Sequence, residues 1–307
     1  TWRRDLWLPD GRGREWEGSG AWASDSREKR SFRRIRMDME DPPEKTVDLE
    51  TYLPIVVAGQ ISAESHPEAI KAQTILARTY ICRQMEQMGL EEEIPESSLG
   101  LEKNRNNQIE PLWGTEIFPE YYSRFEKAAR ETEGVTLTWE GHFIDPLFTH
   151  TTTGFTRPGD EEHPYLASVS CVHDPEEEGF VQEMIMQPEE AAKRVSAIPA
   201  GDGSFRTIPP EAFPEQVQII SRDEAGYALQ LQIGGFPFNG EEVRLALGLP
   251  SACFELNRHG SDVRFTVRGR GHGWGLSQTE AQALAEGGWS AEAILEYFYT
   301  GISFSSE

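Results

Sequence analysis

The sequence predicts an α+β fold, and three observations carry the prediction. Helical and strand-like segments follow one another without a strict strand–helix–strand alternation. Serine–glutamate pairs with capping-box spacing mark helix starts at Ser65 and Ser277, in opposite halves of the chain. A glycine-alternating loop, GRGHGWG, separates the last clear strand from the last helices. The expected architecture is mixed helices packed on antiparallel sheet, with no internal repeat.

The elements are read in order. Residues 1–45 carry Trp2, Trp7, Trp16 and Trp22 among Arg, Gly and Asp with no period of either kind, so they read as an extension or adapter. The main domain is expected over 46–307, with a docking subdomain at about 174–250. The stretch TVDLETYLPIVVAGQ ends in an unbroken apolar run and reads as strand leading into a turn. A helix follows, because Pro67 suits a first turn and Ile70, Ile75, Leu76, Ile81 and Met85 recur on one face; Gly89 stops it. Residues 91–108 are polar and Glu-rich and read as a loop. A second helix is expected near Tyr121–Glu133, then strands at VTLTW and in HFIDPLFTHTTTG, then a loop at Arg157–Pro164. A short helix at Pro188–Val195 and a hairpin from Gln216 to Ile233 come next. VRFTVRG is a strand, Ser277 and Glu280 open a helix that Gly287 closes, and Ser290 caps the final helix through Ala291–Tyr299.

Charge and composition narrow the function. With 52 acidic against 29 basic residues, the net charge of −23 argues against nucleic acid, which is held by clustered Lys and Arg. Three separated cysteines make no disulfide framework. No window approaches the ~20 apolar residues that cross a bilayer, and no charged-then-apolar leader opens the chain, so location cannot be read from the terminus. The Glu clusters at 91–93, 161–162 and 176–178 lack calcium-loop spacing and read as solvated faces.

Candidate site residues come from two places. His150 follows an apolar strand and precedes hydroxyl-rich turns, where a side chain can face a cleft; Thr153 is the weaker companion, since strands favour Thr anyway. In GRGHGWGLSQ, His272, Trp274 and Gln278 offer a stacking face and hydrogen-bonding groups suited to sugars, although a tight connection with a buried Trp274 fits equally. No Lys-Ser/Thr follows the glycines, which weighs against a phosphate cradle. His150, His163, Cys171 and His173 are zinc-ligand types at no standard spacing. No cofactor or metal is therefore expected, with His150 and Cys171 the candidate zinc ligands if one binds.

Three ordered segments, YLPIVVAGQISAESHPEAIKAQTILARTY (52–80), LFTHTTTG…HPYLASVSC (147–171) and VRGRGHGWGLSQTEAQALAEGGWSAEAILEYFYTGISF (267–304), resemble the stage II sporulation protein D family. The resemblance spans about residues 46–307. It implies an extracytoplasmic protein, secreted to the cell wall or tied to the membrane. It also implies lytic transglycosylase activity on peptidoglycan glycan strands, especially strands stripped of stem peptides. In that chemistry one carboxyl group protonates the glycosidic oxygen and then helps the sugar's own hydroxyl close an anhydro ring. A non-catalytic role as enhancer of a cell-wall amidase, or a tie to a membrane anchor protein, is also associated with relatives. By the same resemblance Arg78 and Tyr80 line the glycan groove; the alternative is that Tyr80 packs in the core and Arg78 pairs with a local carboxylate. Some clostridial members hold zinc through a His and two Cys, an arrangement not seen in this sequence.

One departure matters. Counted back from Ala69-Ile70-Lys71-Ala72-Gln73, the family's catalytic Glu falls on Gln60, with Ile61-Ser62 in place of the following Met-Pro. A carboxamide has no proton to give near neutral pH, so activity is expected to be weak or lost. An introduced Glu-to-Gln change and a native loss of the acid both account for it, and the altered neighbours favour the second. Glu64 is the nearest substitute carboxyl; otherwise it is a first-turn carboxylate favouring the helix dipole.

Overall fold

Leu49, Tyr52, Leu53, Val56 and Val57 fall at i, i+3, i+4, i+7 and i+8, and all five are buried. Asp48 caps them, its carboxylate accepting from Glu50 N–H at 2.9 Å. The segment Leu49–Ala58 (α1) is therefore a helix, not the expected strand, even with Pro54 inside it. The helical period was masked because the intervening Ile55 and Ala58 are apolar too. The computed structural model describes residues 33–37, 46–101 and 118–306, so the four N-terminal tryptophans lie outside the described residues.

The next helix is Pro67–Met88 (α2), ended by Gly89 at φ +66°. Its cap is His66, whose Nδ1 accepts from Glu68 N–H at 3.3 Å, and not Ser65 as the capping-box spacing suggested. The Glu68 carboxylate is engaged instead by Lys71 at 2.7 Å and by Ala291 N–H at 2.9 Å. One side of α2, with Ile70, Ala77, Ile81, Cys82 and Met85, joins a core with α1 and with Phe125 and Ala129 of Phe118–Glu131 (α3). The other side, with Ala69, Ala72, Ile75 and Leu76, joins a second core with the C-terminal helices. α2 is thus buried on both sides, and its polar residues Gln73, Thr74, Arg78 and Thr79 are buried with it.

The Glu-rich stretch expected as loop carries regular structure at Glu93–Pro95 and Glu96–Leu99, because Ile94 and Leu99 anchor it in the first core at 0 % exposure. Glu93–Pro95 (β3) runs parallel to Arg34–Arg36 (β1), which also pairs antiparallel with Thr46–Asp48 (β2). β1 lies inside the stretch expected as an extension. Residues 102–108 lie outside the described residues.

Val135–Trp139 (β4) pairs with His142–Phe143 (β5), and Phe148–Thr149 (β6) follows. The chain from 181 to 268 then builds a third core. It comprises Val181–Met186 (β7), Pro188–Ser196 (α4), Val217–Arg222 (β8), Ala228–Ile233 (β9), Phe236–Asn239 (β10), Gly240–Leu247 (α5), Phe254–His259 (β11) and Asp262–Arg268 (β12). Two antiparallel sheets, β10-β9-β8 and β11-β12-β7, cover Val195, Leu247, Val263 and Val267, all fully buried. The hairpin and short helix expected here are present. β10, α5 and β11 were not read from the sequence.

The end of the chain returns to the second core. Leu276–Ser277 (β13) pairs parallel with β6, and Gln278–Glu286 (α6) and Ala291–Phe298 (α7) pack on α2. Ser303–Ser306 (β14) pairs antiparallel with β4. Ser277 caps α6, Gly287 closes it and Ser290 caps α7, as expected. Mixed helices with several small, mostly antiparallel sheets make the fold α+β, as the sequence predicted.

Candidate functional site

Gln60 lies in the turn after α1, where its N–H donates to Val57 carbonyl at 2.8 Å. It is 6 % exposed, so its carboxamide needs partners within the protein. Its Oε1 accepts from Gln73 Nε2 at 2.7 Å, and Gln73 Oε1 in turn accepts from Gln278 Nε2 at 3.1 Å. Gln278 Nε2 also donates to the Gln60 carbonyl at 2.8 Å, and its Oε1 lies 3.4 Å from His150 Nδ1. The structure therefore brings together Gln60, His150 and Gln278, which the sequence nominated, and adds Gln73, which it did not. Its place in the Ala69-Ile70-Lys71-Ala72-Gln73 motif was the available signal for Gln73.

Two devices fix this network. The Asp174 carboxylate accepts from Thr152 N–H at 2.5 Å, Thr152 Oγ1 at 2.6 Å and Ser277 Oγ at 2.8 Å. It thereby ties the chain just after His150 to the residue just before Gln278. Burial pushes the Asp174 carboxyl up to about 6, against the pull of these donors. The second device is the glycine loop. A Cβ on Gly275 would stand 1.7 Å from Leu147 carbonyl, and one on Gly273 2.4 Å from the Tyr227 ring, so only glycine lets this loop press against β6 and Tyr227.

His272 and Trp274 sit in that loop. His272 is buried, and desolvation, with Arg244 and Arg157 nearby, lowers it to about 3, so the ring is neutral and accepts from Trp274 N–H at 3.1 Å. Trp274 donates from Nε1 to Pro158 carbonyl at 3.1 Å, and the Arg157 guanidinium lies 3.7 Å from its ring centre. Arg157 also meets Asp223 at 2.5 Å and Glu241 at 2.9 Å, so Trp274 belongs to a joint between the second and third cores.

Other nominated residues are engaged elsewhere. Arg78 is 1 % exposed; its guanidinium meets the Glu50 carboxylate at 2.7 and 2.6 Å and donates to Val135 carbonyl at 3.0 Å. That places it inside the α1–α2–α3 packing and not along an open groove. Tyr80 donates to Leu99 carbonyl at 2.6 Å, and burial pushes its phenol up to about 12. Thr153 donates to Ala225 carbonyl at 2.5 Å. The exposed Glu64 accepts from Tyr121 of α3 at 2.8 Å. Cys171 is fully buried, burial pushes its thiol well up, and no group of three or more metal-ligand side chains occurs among the described residues.

The comparisons with known proteins agree with the family read from the three motifs. Residues 43–139 match the family model described as SpoIID, Stage II sporulation protein. The chain is 28% identical over 270 residues to a stage II sporulation protein D of Bacillus amyloliquefaciens, covering 85% of this chain and 75% of that protein. It is 29% identical over 274 residues to the protein of the same name in Bacillus subtilis (strain 168), with the same coverage. A third relative, called an amidase enhancer, from the same B. subtilis strain, is 22% identical over 301 residues and is covered only to 40% of its length.

Proposed function

On its kinship with stage II sporulation protein D over 85% of its length, we propose that this chain serves a sporulation-linked, cell-wall role by engaging peptidoglycan glycan strands at the Gln60–Gln73–Gln278–His150 network. Its frame is that of a lytic transglycosylase of this type, with cleavage silenced by Gln60. The observation that carries this reading is the Gln60 carboxamide, buried and hydrogen-bonded at the acid's position. Lytic cleavage needs a proton delivered to the glycosidic oxygen, and a carboxamide has none to deliver. Among the described side chains of the network only His150 is titratable, and Glu64 is turned to Tyr121.

The site is suited to a carboxyl group. A Glu at position 60 would keep the 2.7 Å hydrogen bond from Gln73, and burial would raise its pKa toward the range useful for a general acid. The test incubates denuded glycan strands with the unaltered chain and with Gln60→Glu, and looks by mass spectrometry for anhydromuramyl ends. The unaltered chain is expected to give none while still co-sedimenting with the strands, and Gln60→Glu to gain about a hundred- to ten-thousand-fold. Abundant product from the unaltered chain overturns the reading.

A second reading has its own support. Similarity to the relative called an amidase enhancer and the absent acid both favour a non-catalytic partner of a cell-wall amidase. Here the chain would raise amidase turnover on intact peptidoglycan, and Gln60→Glu would leave that stimulation unchanged. Among the described residues no helix is long and apolar enough to cross a membrane, so membrane attachment, if any, would come through an anchor partner or a segment outside them.

A further inference from the structure

Two sheets cover the third core, and their outer faces differ in kind. On β11-β12-β7 the outward positions include Glu183, Glu255, Arg264 and Arg268, with Arg264 3.6 Å from Glu183 and Arg268 3.1 Å from Glu255. Interspersed charges of both signs are ordinary for a solvated surface. On β10-β9-β8 the outward positions are Gln218 and Ile220 of β8, Gln230 and Gln232 of β9, and Pro237 and Asn239 of β10, all of them exposed. None of the six is charged, in a chain where 26% of residues are. Arg222, at the end of β8, commits its guanidinium to the Gly226 and Phe254 carbonyls at 2.6 and 2.7 Å.

The register sets the amides side by side. Gln232 lies between Gln218 and Pro237, and Gln230 between Ser221 and Asn239. Paired positions hold their Cβ atoms about 4.5–5.5 Å apart, and alternate residues of a strand share a face, so the three glutamine carboxamides form one flat cluster. A bulge between Ile219 and Ser221 adds Ile220, 56 % exposed, beside them. Gln232 Nε2 makes one long contact, 3.4 Å to Gly235 carbonyl, and the carboxamides of Gln218 and Gln230 are free among the described residues.

We propose that this face is a second contact surface for glycan, taking an uncharged stretch of N-acetylated sugars. A carboxamide offers two donors and an acceptor, which suits hydroxyl and acetamido groups that both donate and accept. The six positions hold no cation for a phosphate or carboxylate and no carboxylate for an ammonium or a metal ion. They also lack the Trp, Tyr and Arg on which protein interfaces centre. The choice of glycan rests on the function proposed above, but the surface is separate from the Gln60 network.

The test labels the glutamine carboxamides of the whole chain with nitrogen-15 and titrates it with chitotetraose, the neutral tetramer of N-acetylglucosamine. The Gln218, Gln230 and Gln232 signals, assigned by their loss in single Ala variants, are expected to shift together with one dissociation constant. Gln230→Ala combined with Gln232→Ala should weaken that binding about tenfold, read at Gln218. The signals of Gln60, Gln73 and Gln278 report the first site separately. A response there with none at the sheet face overturns this inference and leaves the proposed function standing. Face signals that move with protein concentration in the absence of sugar make a second copy of the chain the occupant, and also overturn it.

Discussion

At position 60 the difference between Glu and Gln is one proton-bearing oxygen, and the hydrogen bond from Gln73 suits either. A motif offset singled that position out, and the structure joins it to Gln73 and Gln278. The packing of Arg78 and Tyr80 could not be read in the same way, since spacing along a helix does not say which side is covered when both sides are. The Arg78–Glu50 pair has a measurable consequence. Arg78→Met leaves Glu50, itself three-quarters buried, without its bidentate partner, and should cost about 3 kcal/mol in urea unfolding while glycan co-sedimentation persists. Asp174 gives a pH signature. Its folded carboxyl, near 6 against an ordinary 3.8, holds its proton more tightly in the native state than in the unfolded chain. Its contribution is therefore full below about pH 4 and is lost as pH rises through 6, by about 3 kcal/mol for a shift of this size. Unfolding free energies measured between pH 4 and 7 should fall less steeply in Asp174→Asn than in the unaltered chain.

Among the elements, those with punctuation were readable. Pro67 and Gly89 bracket α2, and Ser277, Gly287 and Ser290 punctuate α6 and α7. α1 was misread because apolar residues fill the positions between its core-facing ones, so a run of side chains looked like a strand when the Asp48 cap and the i, i+3, i+4 spacing already favoured a helix. β1 and β3 escaped because three-residue strands leave too few positions to show alternation. The glycine loop was readable as a loop, but its purpose depends on what it touches. Gly275→Ala combines φ +71° with a Cβ driven into Leu147 carbonyl, and should cost more than about 2 kcal/mol. Hydrogen exchange should show lost protection first at Leu276 N–H, which donates across the β6–β13 bridge.

For the whole molecule, composition argued against nucleic acid without naming a partner, and the joint between cores could not be foreseen, because Arg157, Asp223, Glu241 and Trp274 meet only after three segments have docked. Arg157→Ala removes this clamp, leaving Asp223 without its arginine while Glu241 keeps only Arg244. Calorimetry should then resolve the 181–268 segment as a separate, earlier transition, where the unaltered chain unfolds in one. The network at Gln60 has a temporal side as well. It is tied by Gln278, 218 residues further along the chain. At ribosomal speeds of about 5–20 residues per second, roughly 10–40 seconds separate the emergence of the two residues. Throughout that interval Gln60 has no Gln278 to hold its carbonyl, so the site is completed only after residue 278 has emerged. A nascent or C-terminally clipped chain therefore lacks the finished site, however well its first helices have folded.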